Sequence, residues 1–379
     1  MLQYVYEVIT IKTIGIIAEY NPFHNGHLKH LKEIKKLEKD SLIILVLNGY
    51  FLQRGEISLL TKEDKTKIVL DNGVDLVVEL PFIYGTQSAD IFALNAIKIL
   101  DSLNTDEIIF GSESNNVELL DKIANIELYD EDYENLLKKY LNNGDNYPTA
   151  LAKALNIKED FNHPNDLLGI SYIKAIKMIN SRIIPKSIKR TNDYHDLEST
   201  EEIVSASNIR AKIKKQEKIN KYLPKEVIPY LKTPKSYFEL LKYKILTEKD
   251  LSIYLTVDEG IENRLKKAIL ESDSLEELIE KVKTKRYTYN KINRMFIHIL
   301  IGLTKKDNLN SNLDYIKVLG FNDKGQKYLN KVKKDSKIPI TVNRESLIYE
   351  YEMSSALIYD LLTNQNTNNF EIKNKPIKK

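Results

Sequence analysis

The chain has no cysteine in 379 residues. That excludes a disulfide framework, thiolate-ligated zinc, iron–sulfur clusters and any thiol nucleophile, and it fits a reducing compartment. Long apolar runs are missing too: the longest, Leu42 to Leu47, falls far short of the roughly 20 residues a membrane helix needs. The opening segment MLQYVYEVITIK shows no basic start, sustained apolar stretch or small-residue cleavage site, so it does not read as a secretory signal. The expected location is the cytosol. Charge of one sign is not in excess either. With 57 basic and 54 acidic residues the net charge is +3, so nucleic-acid binding would have to come from local clustering. Neither G-x-x-x-x-G-K-[ST] nor G-x-G-x-x-G occurs, which removes the P-loop and the Rossmann dinucleotide cradle.

What is present describes a soluble globular chain with enough apolar residues for real cores, and its length predicts two or three domains at roughly 150 residues each. Short β-branched runs at 13–18, 41–48, 75–81 and 106–111 alternate with stretches of helical period, and the segment 181–190 offers a further strand. Strands apolar on both faces and separated by helices predict a doubly wound α/β domain with a parallel sheet. Residues 1–12 stand as an extension, either an extra strand or a mis-assigned start. Pro224, Pro229 and Pro234 break the pattern near residue 225, and lysine-rich helices follow. The expected division is 1–225 and 226–379, the second part mainly helical with a low-complexity, mobile tail.

The informative segment is GIIAEYNPFHNGHLKHL, residues 15–31. A buried strand ends near Ala18, a turn follows, and His24, Asn25, Gly26 and His27 open an amphipathic helix. Ligands of doubly wound sheets bind at strand carboxyl ends, and a helix N-terminus there favours phosphate. Gly26 lets backbone approach a nucleotide. His24 and His27 share a face and can donate to oxygens that gain charge as pyrophosphate leaves an α-phosphate. The competing reading is a pair of capping histidines. Zinc is disfavoured, because His24, His27 and His30 rotate around the helix without a completing ligand, and no metal ligands are assigned. A serine turn, Ser205-Ala206-Ser207-Asn208-Ile209-Arg210, is placed to hold β and γ phosphates, or is an ordinary N-cap. Residues 281–294, KVKTKRYTYNKINR, carry six cations, no acid and two tyrosines. Lys283, Lys285, Arg286 and Tyr287 are the expected RNA contacts, against the alternative of a solvated helix face over buried tyrosines.

These motifs resemble the nucleotidyltransferases and class I aminoacyl-tRNA synthetases with an H-x-G-H signature. A narrower resemblance joins EYNPFHNGH (19–27), NGYFLQRGE (48–56), DLVVELP (75–81), QSA (87–89), FGSE (110–113), NDLLG (165–169), Arg190, Tyr194, His195, the SASNIR turn and KTKRYT (283–288). Together they are similar to the tRNA(Met) cytidine acetate ligase family, over residues 13 to about 300. The resemblance implies an enzyme that makes acetyl-adenylate from acetate and ATP, then acetylates the exocyclic amine of the wobble cytidine in elongator tRNA(Met). It implies ATP contacts at Ile17, Ala18, Glu19, Tyr20, Asn21, Pro22, Phe23, His24, Asn25, Gly26, His27, Leu28, Lys29 and His30, and at Gly111, Asn165 and Arg190. Lys65, Asp90 and Ser207 depart from the family's usual arginine, glutamate and threonine. Magnesium is expected with ATP, without a dedicated protein cage. The chemistry is self-consistent, because a delocalised cytosine amine and free acetate react only after activation. Two other readings compete: an adenylyltransferase for a small phosphomonoester, disfavoured by the large basic C-terminal region, and a non-catalytic RNA or ribosome assembly factor, which would bind all RNAs equally without nucleotide. Oligomeric state is not legible.

Overall fold

Thr13–Ala18, Leu42–Asn48, Leu76–Leu80 and Glu107–Ser112 form strands β1 to β4, and Ile184–Lys189 forms β5. The computed structural model describes residues 11–379 except 146, 156–162, 191–200, 233, 343–344 and 374. Residues 1–10, Tyr194 and His195 therefore lie outside the described residues. Every residue of β2 is buried, as its unbroken apolar run requires of a strand covered on both faces. β5, with Pro185 and two lysines, takes the outer edge, where a missing N–H and charged side chains are tolerated.

The first five strands lie in the order β5-β4-β1-β2-β3, and all run parallel. Successive crossovers move from β1 through β2 to β3, then return to β4 and β5 on the other side of β1. This is the doubly wound arrangement expected from the sequence. The chain after residue 225 is mainly helical, yet it also returns to the sheet. Ile316–Phe321 (β6) pairs antiparallel with β3, and Ile340–Thr341 (β7) and Ile377–Lys378 (β8) pair with β6. Two of these strands have only two residues, and Lys317 interrupts β6 at its second position, so none shows a long apolar run.

One apolar cluster lies between the sheet and the helices Ala89–Ser102, Pro164–Met178 and Leu347–Thr363. A second packs the opposite face under helices α1 (Asn25–Leu37) and α2 (Lys62–Asp71) and residues 204–231. A third is internal to the helices between Tyr237 and Ile301. Among the described residues, no helix is long and apolar enough to cross a membrane.

Candidate active site

The switch in crossover direction falls between β1 and β4, which opens a crevice beyond their carboxyl ends. The chain leaves β1 at Ala18, passes Tyr20 at φ +50° and enters α1 through His24, whose extended backbone makes it the N-cap. Histidine replaces the usual serine or aspartate there. Its Nδ1 accepts the Gly26 N–H at 3.0 Å, and Nδ1 of His27 accepts the His24 N–H at 3.3 Å. The two rings lie 3.7 Å apart between centroids.

This reciprocal cap settles the tautomer. With both δ nitrogens used as acceptors, the proton of each neutral ring sits on Nε2. Burial, with Arg190 and Arg210 nearby, pushes the His24 pKa down to about 3. His27 is also far below its ordinary value, through burial first and then the positive potential of His24, Arg190 and His30. Burial and Arg190 bring His30 down to about 4. The pair therefore acts as neutral N–H donors at pH 7. Gly26 has a more immediate role than admitting a nucleotide: a Cβ there would stand 2.7 Å from Cε1 and 2.9 Å from Nδ1 of His24.

The serine turn caps the helix Ala206–Lys214, with Ser205 Oγ accepting the Asn208 N–H at 3.2 Å. It also docks on α1. Arg210 donates to the Asn21 carbonyl at 3.0 Å, to Glu56 at 3.1 Å and to Ser207 Oγ at 3.2 Å. Asn25 donates to the carbonyls of Glu202 and Lys221 at 3.2 and 2.8 Å. Two motifs far apart in sequence are thereby stapled together.

At the end of β4, a Cβ on Gly111 would meet Arg190 Cγ at 3.3 Å, so the arginine lies across the glycine. The Glu113 carboxylate accepts N–H groups from Asn165 and Asp166 at 3.1 and 3.0 Å and the Asn165 side-chain amide as well. Asn165 is thus oriented by Glu113, and its carbonyl oxygen remains as an acceptor.

These elements enclose a cavity of about 630 Å³. Ile17, Ala18, Glu19, Tyr20, Asn21, His24, Gly26, His27, Lys29, His30, Gly111, Asn165, Arg190, Ser205, Ser207 and Arg210 line it. Pro22, Phe23, Asn25 and Leu28 do not. Phe23 is fully buried in the core, Leu28 packs against that core, and Asn25 serves as the staple. Sequence reasoning missed Gln53, Arg54, Glu56, Phe92, Phe110, Tyr172, Asn290 and Arg294, which also line the cavity. Gln53 to Glu56 fall inside the motif at 48–56, whereas Arg294 ends the basic run 281–294. Lys65, at a position of departure, is wholly buried and donates to the carbonyls of Glu19, Asn48 and Gly49 at 3.1, 2.6 and 2.7 Å. Three donors meet three acceptors, and burial lowers its pKa to about 7. Asp90 receives Ser171 and Lys174. Among the described residues, no group of three or more histidine, aspartate or glutamate side chains could hold a metal.

The basic run requires a correction. Lys283, Lys285 and Arg286 are exposed, although Arg286 pairs with Glu259 at 3.0 Å and Lys283 lies 3.8 Å from Glu280. Tyr287 is only 2% exposed and cannot stack on a base. Its hydroxyl accepts the Asp258 N–H at 2.8 Å and reaches the carbonyls of Thr256 and Asp258, while Lys291 covers its ring. The apolar pocket left by the surrounding helices takes Tyr287, and Tyr289, 47% exposed, is the ring on the surface.

Comparison with known proteins agrees with this geometry. The HIGH Nucleotidyl Transferase family matches residues 11–375. A tRNA(Met) cytidine acetate ligase of Caldicellulosiruptor saccharolyticus is 41% identical over 345 residues, covering 86% of each chain. One from Anoxybacillus flavithermus is 36% identical over 92% of this chain and 94% of its own. The crystal structure of Thermotoga maritima TmcAL bound with alpha-thio ATP superposes with a TM-score of 0.84 at 28% identity, covering 97% of this chain and 99% of that one. With the histidine cap, the docked serine turn and the β4 end gathered around one cavity, and with matches along almost its whole length, the chain belongs to the tRNA(Met) cytidine acetate ligase family of HIGH nucleotidyl transferases.

Proposed function

We propose that this protein activates acetate with ATP and transfers the acetyl group to the exocyclic amine of the wobble cytidine of elongator tRNA(Met). The observation that carries the chemistry is the pair of Nε2–H donors fixed at the α1 N-terminus, beside the crevice where a doubly wound sheet binds its ligand. An acetate oxygen attacks the α-phosphorus of ATP, the bond to the β-phosphate bridging oxygen breaks, and pyrophosphate leaves with the electron pair. His24 and His27 donate to the oxygens on which charge develops, without accepting or releasing a proton. Ser205, Ser207 and Arg210 hold the β and γ phosphates, and Gly111, Asn165 and Arg190 line the nucleoside side. Magnesium bound to ATP would screen the triphosphate charge, with no protein side chain assigned to hold it. In the second step the cytidine amine attacks the acetyl carbonyl, AMP departs, and the amine loses one proton. The wobble base lies in a single-stranded loop, so presenting it costs little unstacking.

In this reading residues 1–225 make the adenylate and residues 226–379 present Lys283, Lys285 and Arg286 to tRNA, with the reaction taking place in the cytosol. The test is transfer of labelled acetate to a panel of unmodified tRNA transcripts with ATP and magnesium. ATP-dependent label on elongator tRNA(Met) alone is the expected result. Bound ATP with no label on any tRNA would overturn the assignment.

A further inference from the structure

The loop between β2 and α2 meets the helix Tyr289–Ile301 at Gly55. Its φ is +72°, and a Cβ would stand 2.3 Å from the Asn293 carbonyl carbon and 2.4 Å from the Arg294 nitrogen. The loop therefore lies directly on the helix backbone, which glycine alone permits. This seam sets Arg54 and Arg294, from distant parts of the chain, into the same cavity wall.

The pair is electrostatically costly in the absence of an anion. Burial lowers both guanidinium pKa values; Arg54 depresses Arg294 further, and Arg210 does the same to Arg54. Glu19 and Glu56 offset part of this at Arg54. Arg294 has no carboxylate partner among the described residues; its one hydrogen bond runs to the Gln53 carbonyl at 3.4 Å. Glu19 itself accepts from the Gln53 N–H at 2.6 Å and from Asn48 at 3.0 Å, and burial raises its pKa, so it competes weakly for the arginines.

The neighbouring wall is of another kind. Phe92, Phe110 and Tyr172 line the cavity, each less than 10% exposed, and the rings of Phe110 and Tyr172 are 5.8 Å apart. Gln53, whose carbonyl accepts from Arg294, donates its side-chain amide to the Gln87 carbonyl at 2.9 Å, just before the helix Ala89–Ser102 that carries Phe92, so this apolar wall and the arginines adjoin at one end of the cavity. A ligand for that end has an anionic head and a short apolar tail. The reaction also brings two anions together, a carboxylate and a polyphosphate, which demands fixed positive charge between them, and planar guanidinium matches a carboxylate fork.

We propose that Arg54 and Arg294, joined across the Gly55 seam, form the carboxylate subsite for the acyl substrate, with Phe92 and Tyr172 facing its alkyl end. The inference rests on the acetate-activating reading above. It is tested by acetate-dependent exchange of labelled pyrophosphate into ATP, with wild type, Arg294→Ala, Arg294→Lys and Phe92→Ala, thermal melts confirming that each is folded. Arg294→Ala should raise KM for acetate about 10- to 100-fold, the worth of a charged hydrogen bond, and leave KM for ATP within about twofold. Arg294→Lys, a point charge without the fork, should fall between. Phe92→Ala should shift preference from acetate towards propionate and butyrate.

An Arg294→Ala variant with raised KM for ATP and unchanged KM for acetate would assign the arginine to the nucleotide and overturn the subsite. Unchanged constants for both would overturn it equally. Failure of the underlying reading is visible separately: wild type that binds ATP but exchanges no pyrophosphate with acetate removes acetate as substrate before any variant is compared.

Discussion

His24 caps the helix that begins beneath it, and His27, one turn on, caps His24 in return. Each imidazole thus has a structural nitrogen and a chemical one. The capping and the catalytic readings of the H-x-G-H motif describe the two sides of the same rings, because using Nδ1 for the cap is what leaves the proton on Nε2.

The two roles can be separated by substitution. Asparagine is a strong N-cap residue and reproduces the acceptor near Nδ1, but it has no donor at the position of Nε2. His24→Asn should keep the thermal midpoint within a few degrees, about 1 kcal/mol or less, while pyrophosphate exchange falls about 10²- to 10³-fold. A His24→Asn enzyme that exchanges normally would remove His24 from catalysis.

The depressed histidine pKa values give a stability prediction with a definite sign. Folded values near 3 for His24 and near 4 for His30 and His298 lie below the ordinary 6.5, burial being the main cause in each. Between about pH 6.5 and 4 the unfolded chain binds protons that the folded chain refuses. Their contribution is therefore complete above about 6.5 and is lost as pH falls, by up to about 1.4 kcal/mol per pH unit for each group. Melts without ligand should show the midpoint dropping from pH 7 to 5, and His298→Gln should make the fall shallower. Catalysis should behave differently. Neutral donors predict a level kcat/KM for adenylate formation from about pH 6 to 8, so a limb near 6.5 that disappears in His27→Ala would show that a charged imidazole acts.

A buried charge cluster anchors the C-terminal helices to the sheet. Lys62 meets Glu79, Glu352 and Glu371, and Lys317 meets Glu371 and Glu79, every side chain 4% exposed or less. Three carboxyls against two ammoniums leave one excess acid. Burial, with Glu352 next to it, raises the Glu79 pKa to about 8, which favours the protonated acid and with it a neutral cluster. Lys62→Met should cost about 3–5 kcal/mol in urea unfolding, since it strands buried carboxylates. Glu79→Gln copies the protonated acid and should cost far less. Equal damage from both would mean that Glu79 is ionised.

How much of this was legible follows from what each signal depends on. Strands β1 to β4 were visible because a parallel strand buried on both faces has to be an apolar run, and the runs at 13–18, 41–48 and 75–81 fall on the observed strands within one or two residues, whereas β5, on the exposed edge, shows only the short segment 181–190. β6 was hidden because Lys317, its second residue, cuts the apolar run short, and only the folded chain supplies the Glu371 partner that allows a lysine there. At the site, α1 and the serine turn were legible as local motifs. Arg54 and Arg294 were not, since their meeting depends on a loop lying on a helix far along the chain. Tyr287 failed for a related reason: composition places a ring beside cations but does not say which of two alternating tyrosines turns inward.

That alternation gives the last test. Tyr287 and Tyr289 are separated by one residue, yet the first is held by hydrogen bonds at Asp258 and Thr256 inside the helical core and the second is exposed. Tyr287→Phe deletes the hydroxyl and leaves the Asp258 N–H without that acceptor, so it should lower stability by about 1–3 kcal/mol. The folded fraction should bind tRNA as wild type does. Tyr289→Ala should leave the melt unchanged and weaken tRNA binding by about 1–3 kcal/mol, the worth of one base stacked on an aromatic ring. Fluorescence anisotropy with labelled tRNA, read beside thermal melts, distinguishes the two. If Tyr289→Ala binds normally while Lys285→Ala or Arg286→Ala does not, the surface holds phosphates alone, and the wobble base is gripped within the cavity.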